Sequence, residues 1–119
     1  MTETEYAPAV LALAAHLKVE PDAIEVSSYD EACMTCDGAE YRVLTDSDAD
    51  SAADEYLESY IDDCVLSELP EQYRGYFDSD KFKRDVLLGD GRGPQLASYD
   101  GAENEQQIDG EWFFIYRIG

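Results

Sequence analysis

Apolar residues recur along this chain with two periods, and the switches between them predict the order of elements. Pro8 suits a first helical turn, and Val10, Leu11, Leu13, Ala14 and Leu17 follow at spacings that put most of them on one face, with an end near Lys18. After Pro21 and Asp22 the period shortens to two. Ile24, Val26 and Ser28 alternate with polar neighbours, and Tyr41, Val43 and Thr45 do so around Arg42 and Leu44, which predicts two strands. Thr45, Asp46, Ser47 and Asp48 then open a helix, because short oxygen side chains accept from the N–H groups that a first turn leaves unpaired. Exposed acids in that turn gain about 0.3 to 1 kcal/mol each from the helix dipole. Within the helix Ala53, Tyr56, Leu57, Tyr60, Ile61, Cys64 and Val65 form an apolar stripe, and Asp54, Glu55, Glu58, Asp62 and Asp63 fall away from it.

Leu69 and Pro70 stop this helix, Tyr73 to Phe77 read as a short turn, and Ser79 or Asp80 opens a further helix that sends Phe82, Val86 and Leu87 to the core and stops at Gly89. In the tail, Asp109 and Gly110 supply the positive backbone angles of a tight turn between Gln106 to Ile108 and the run Glu111 to Ile118. On that last strand Trp112, Phe114 and Tyr116 oppose Phe113, Ile115 and Arg117; one face is core and the other is a partner surface or lies under helices. There is no internal repeat and no linker. The pattern predicts an α+β fold: one domain over residues 1–119, with a small antiparallel sheet and a C-terminal β-hairpin packed against three or four helices.

Composition agrees with a folded chain. With 119 residues, 45% hydrophobic and 12% aromatic, there is apolar material for one core and too little length for two ordinary domains. Chains of comparable charge that lack aromatics stay disordered, whereas nine Tyr, four Phe and Trp112 let burial outweigh chain entropy here. The apolar stretch Ala7 to Ala15 follows Glu3 and Glu5 instead of a basic segment, so it reads as a helix and not as a signal peptide. No apolar run approaches the roughly 20 residues of a membrane span. Three cysteines, an odd number, argue for reduced thiols. The expected location is the cytoplasm.

Charge changes the picture most. The formal charge is -20, and ten carboxylates lie between Arg42 and Arg74 with no Lys or Arg among them. Acids one helical turn apart, as at Asp54, Glu58 and Asp62, stand about 5 to 6 Å from each other, close to the separation of successive phosphates. A globule of this length is expected to be roughly 30 to 35 Å across, and the duplex DNA it would replace carries about 18 to 20 charges. Like charges at four-residue spacing each cost a helix a few tenths of a kcal/mol, so the row has a folding cost. A solvated face for solubility or for high salt is the plainer explanation, but it predicts even spacing, and the basic Lys81, Lys83 and Arg84 are instead segregated downstream. The candidate partner-binding residues are therefore Asp48, Asp50, Asp54, Glu55, Glu58, Asp62 and Asp63.

Other chemistry is weakly marked. Asp46, Asp48 and Asp50 match the start of a calcium loop, but the sixth position is Ser51 where glycine belongs and the twelfth is Leu57 where a bidentate Glu belongs. Cys33 and Cys36 have CxxC spacing without a second half; Cys64 and His16 are the remaining soft ligands, so zinc through these four is an open alternative to a loop with incidental thiols. Gly89 to Pro94 is glycine rich yet lacks the Lys and Ser or Thr of a phosphate loop, and reads as a structural turn. No nucleophile, base and orienting group assemble from spacing. The expectation is a protein that is not an enzyme, with no catalytic residue, no metal and no cofactor.

Glu40 to Leu44 (EYRVL), Thr45 to Leu57 (TDSDADSAADEYL), Asp90 to Asp100 (DGRGPQLASYD) and Phe113 to Ile118 (FFIYRI) resemble a group of small acidic proteins encoded by bacteriophages. The resemblance implies a phage setting and no mechanism; in size and charge the chain is also similar to phage inhibitors of CRISPR or restriction systems that occupy DNA sites. The reading that follows is a phage anti-defence protein, anti-CRISPR or anti-restriction, acting by acidic DNA mimicry on a host complex with a basic nucleic-acid groove. It would bind neither nucleic acid nor membrane itself. The alternative is an interaction module that binds a host protein such as polymerase or gyrase through the aromatic hairpin, with the acids serving solubility.

Overall fold

The computed structural model describes residues 6–119, so Glu3 and Glu5 lie outside the described residues. The chain runs α1 (Pro8–Leu17), β1 (Glu25–Val26), β2 (Cys33–Cys36), β3 (Ala39–Thr45), α2 (Asp46–Tyr60), α3 (Glu71–Arg74), α4 (Ser79–Asp90), α5 (Gly93–Leu96), β4 (Asn104–Ile108) and β5 (Glu111–Arg117). The strands form one antiparallel sheet in the order β1-β2-β3-β5-β4, so the fold is α+β, a single domain with the C-terminal hairpin in the sheet as expected. Among the described residues there are five α-helices, two of them a single four-residue turn.

The sheet is covered on both faces. On one, α1 sends Val10, Ala12, Leu13 and Ala14 against Met34, Cys36, Val43, Phe113 and Ile115. On the other, Ala49, Ala52 and Ala53 of α2 and Leu96 and Ala97 pack on Leu44 and Tyr116. Small alanines let α2 approach the sheet closely, and alternation along β3 and β5 divides the residues between the two cores. Both faces of the last strand thus lie under helices, and only Trp112 of its aromatic run is exposed, at 46%.

Two expectations for this region need correction. The CxxC segment is not a loop: it is β2, paired with β3 through a turn in which Asp37 (φ 51°) and Gly38 (φ 78°) both take positive φ. Asp109 (φ 50°) and Gly110 (φ 84°) do the same in the C-terminal hairpin, and both are the Asp-Gly turn whose twist suits paired strands. The stop of α4 is also displaced, from Gly89 to Gly91 at φ 74°.

The molecule is also not the globule expected from its length. Its extents are 67 × 27 × 21 Å, with a radius of gyration of 17.2 Å where about 13 to 14 Å is ordinary for this size. The length comes from a helical arm. α2 (15 residues) continues into a wide turn at Ile61–Val65 (5 residues, closed by i to i+5 hydrogen bonds) and a tight turn at Leu66–Glu68 (3 residues) before Pro70. At 1.5 Å per residue that is about 34 Å of nearly continuous helix. α4 returns alongside it, with Phe82, Val86 and Leu87 half-buried and no residue fully buried. Leu57 and Ile61 are buried as the apolar stripe requires, whereas Tyr56 (47%), Tyr60 (43%) and Cys64 of the same stripe are exposed, because α4 is too narrow to cover them.

Candidate functional site

Thr45 caps α2 through its hydroxyl, which accepts from the Asp48 N–H at 3.2 Å. All seven candidate residues, Asp48, Asp50, Asp54, Glu55, Glu58, Asp62 and Asp63, are exposed. They do not form one row. At 100° per residue, Asp46, Asp50, Asp54 and Glu58 follow one another along the flank of α2 that turns toward α4 and the sheet, while Asp48 and Glu55 lie two turns apart on its outward side.

Two cations from elsewhere in the chain pair with the four acids of the inner flank and cancel half of their charge. Lys83 of α4 bridges Asp54 (2.9 Å) and Glu58 (2.8 Å). Those two hydrogen bonds push the Lys83 ammonium well above its ordinary range, which keeps it charged. Arg92, in the glycine-rich turn, reaches back to the start of α2: its Nη1 donates to Asp46 Oδ1 and Asp50 Oδ1, both at 2.9 Å, and to the Asp46 carbonyl at 3.0 Å. Its Nε donates to Glu103 at 2.8 Å, and its guanidinium lies 4.6 Å over the Phe114 ring. The arginine side chain is only 12% exposed. Of the other two basic residues of α4, Lys81 pairs with Asp85 on its own helix, and Arg84 bridges no acid among the described residues.

Asp48, Glu55, Asp62 and Asp63 have no ion-pair partner among the described residues. Asp62 and Asp63 sit on the wide turn, so the row Asp54, Glu58, Asp62 at four-residue spacing expected from the sequence is broken twice, by Lys83 and by the change of helical period. The free acids continue onto the tip of the arm with Glu68 and Glu71, next to exposed Tyr73 and Tyr76. No family model, no curated protein and no solved structure matches this chain. Its functional reading rests on this geometry.

The other candidate chemistries are dispersed by the fold. Cys33 and Cys36 point to opposite faces of β2, Cys36 into the core beneath α1 and Cys33 toward Asp30, and Cys64 is out on the arm. Burial, and then the neighbouring Asp30 carboxylate, push the Cys33 thiol up, which disfavours a thiolate. Asp46, Asp48 and Asp50 belong to a helix instead of a calcium loop, and two of them are held by Arg92. Among the described residues no three His, Cys, Asp or Glu side chains gather in a metal-binding group. The glycine-rich turn serves to seat Arg92: a Cβ at Gly93 would collide with the Gly101 carbonyl.

Tyr116 completes the Arg92 cluster. Its buried hydroxyl donates to the same Glu103 Oε2 that Arg92 holds. Burial, and then this hydrogen bond to a carboxylate, push its phenol far above the usual value. Above about pH 10 the unfolded chain therefore releases a proton that the folded chain keeps, so stability is full below that pH and declines as pH rises through it. The urea midpoint of the wild type is expected to fall between about pH 9 and about pH 11, and Tyr116→Phe is expected to lower the midpoint at pH 7 yet flatten that fall. An unchanged slope in the variant would remove Tyr116 as its source.

Proposed function

We propose that this is a phage-encoded anti-defence protein, anti-CRISPR or anti-restriction, whose arm occupies a Lys- and Arg-lined nucleic-acid groove of a host complex in the host cytoplasm. The observation that carries the reading is the division of the α2 acids, with each acid of the inner flank paired to Lys83 or Arg92 and the outer residues Asp48, Glu55, Asp62 and Asp63 without an ion pair among the described residues. Acids kept only for solubility do not require a molecule extended to 67 Å. Shape supports the same reading. An extent of 67 Å, against the roughly 30 to 35 Å of a globule of this length, draws the formal charge of -20 out along one axis, at a mean density nearer to that of one DNA strand than to that of a duplex.

Association through such a field is fast and salt-sensitive, by roughly 10- to 1,000-fold in rate. The test is DNA cleavage by a panel of purified CRISPR effectors and restriction endonucleases, with the protein added before DNA. Inhibition of at least one of them is expected at low salt, weakening steeply toward about 0.5 M, where the screening length falls to about 4 Å. Absence of inhibition across the panel at low salt, or inhibition indifferent to salt, would count against mimicry.

A further inference from the structure

Lys83 closes one side of the α2–α4 pair with ion pairs; the other side is open. There Tyr56, Leu57 and Tyr60 of α2 and Phe82 and Val86 of α4, with Asp90 and Gln95, line a cleft of about 210 Å³. Tyr60 stacks on Phe82 at 6.2 Å and 6° between planes, and Phe77 meets Phe82 in a tilted contact at 5.6 Å. Tyr56 and Tyr60 nevertheless remain nearly half exposed. Apolar walls of this kind gain free energy when covered.

The rim tells what covers it. Asp90 lines the cleft, Asp63 follows Tyr60 by three residues and so neighbours it on the helix surface, and no Lys or Arg is among the lining residues. A second copy of this chain would bring the same formal charge of -20 to that rim and be repelled. We propose that the cleft receives an apolar side chain projecting from a Lys- or Arg-rich amphipathic helix of the partner, beside the outer acids. This rests on the charge-presenting function above and adds to it: charge brings the partner in, and the cleft holds it. Amphipathic helices are read by apolar grooves in this way, with anchors at i, i+3 or i+4, and truncation of such anchors speeds dissociation.

The probe is a synthetic Leu/Lys amphipathic helix of about 14 residues, compared with a Lys/Ser peptide of equal charge, both followed by fluorescence polarisation against the full chain. The double variant Tyr56→Ser with Tyr60→Ser, and separately Val86→Trp, which fills the cleft without removing an aromatic, are each expected to weaken the Leu/Lys peptide at least tenfold and leave the Lys/Ser peptide unchanged. Far-ultraviolet circular dichroism checks the fold of each. Equal weakening of both peptides, or unaltered Leu/Lys binding in both variants, overturns the proposal. Its failure is separable from that of the anti-defence function, because the cleavage panel does not use either peptide: discrimination between peptides without inhibition would leave the cleft and remove the function, and the reverse would leave mimicry by charge alone.

Discussion

Arg92→Met is expected to lower stability by about 2 to 4 kcal/mol, the largest loss for any charged residue of this chain. Removing one partner of a nearly buried ion pair leaves its partners uncompensated, and that commonly costs about 3 to 5 kcal/mol. Here Asp46 and Asp50 are about 70% exposed and recover hydration, whereas Glu103, at 31%, does not fully do so, which sets the lower figure. The lost cation–π contact with Phe114 adds about 0.5 to 2 kcal/mol within that range. Arg92→Lys keeps a charge but cannot fork toward Asp46, Asp50 and Glu103 together, so an intermediate loss is expected. Urea unfolding reads both: a fall of about 1 to 2 M in midpoint for Arg92→Met follows from the usual slope for a domain of this size. A change under about 0.5 kcal/mol would show that the cluster does not tie α2 to the sheet.

The second large effect concerns binding, not folding. Reversing Asp48, Glu55, Asp62 and Asp63 to Lys is expected to abolish inhibition of a susceptible nuclease complex, by at least about 100-fold, with circular dichroism unchanged. These four carry no ion pair among the described residues, so reversal breaks no internal contact of theirs. It also removes like-charge repulsion at the arm, worth a few tenths of a kcal/mol per neighbouring pair. Against a basic groove the same change converts attraction into repulsion at four points, and like-charge juxtaposition at an interface costs several kcal/mol. Glu58 does not belong in this set although its spacing suggests it, since Lys83 already holds it.

Local rules made much of the fold legible. The start of α1 at Pro8 and its end before left-handed Lys18, the Thr45 cap, and the Asp109–Gly110 turn were all visible because each depends on neighbours in sequence. The strand at Cys33–Cys36 was hidden by its resemblance to a metal motif, although Asp37–Gly38 carries the same turn signal as Asp109–Gly110. The apolar stripe of α2 overstated its buried face. Tyr56 and Tyr60 satisfy the period, but burial depends on what packs opposite, and α4 offers only Phe82, Val86 and Leu87. Of the site, the acids and their exposure could be read. Their division into ion-paired and free sets could not, because Arg92 reaches Asp46 across 46 positions and Lys83 reaches Glu58 across 25. No period within α2 carries that information; the only local hint was an arginine in a glycine-rich turn that no phosphate loop explains.

In the proposed function, position on α2, and not total acidity, makes the binding surface. Two variants of equal charge test it most directly: one neutralises the outer set, Asp48→Asn, Glu55→Gln, Asp62→Asn and Asp63→Asn, and the other the inner set, Asp46→Asn, Asp50→Asn, Asp54→Asn and Glu58→Gln. Half-maximal inhibition of DNA cleavage is measured for each at one salt concentration, with the folded fraction fixed by circular dichroism. The outer variant is predicted to lose at least about 30-fold, roughly 2 kcal/mol at 1.4 kcal/mol per tenfold, while the inner variant stays within about threefold of the wild type. Equal losses in the two would contradict it, and would leave the acids as bulk charge.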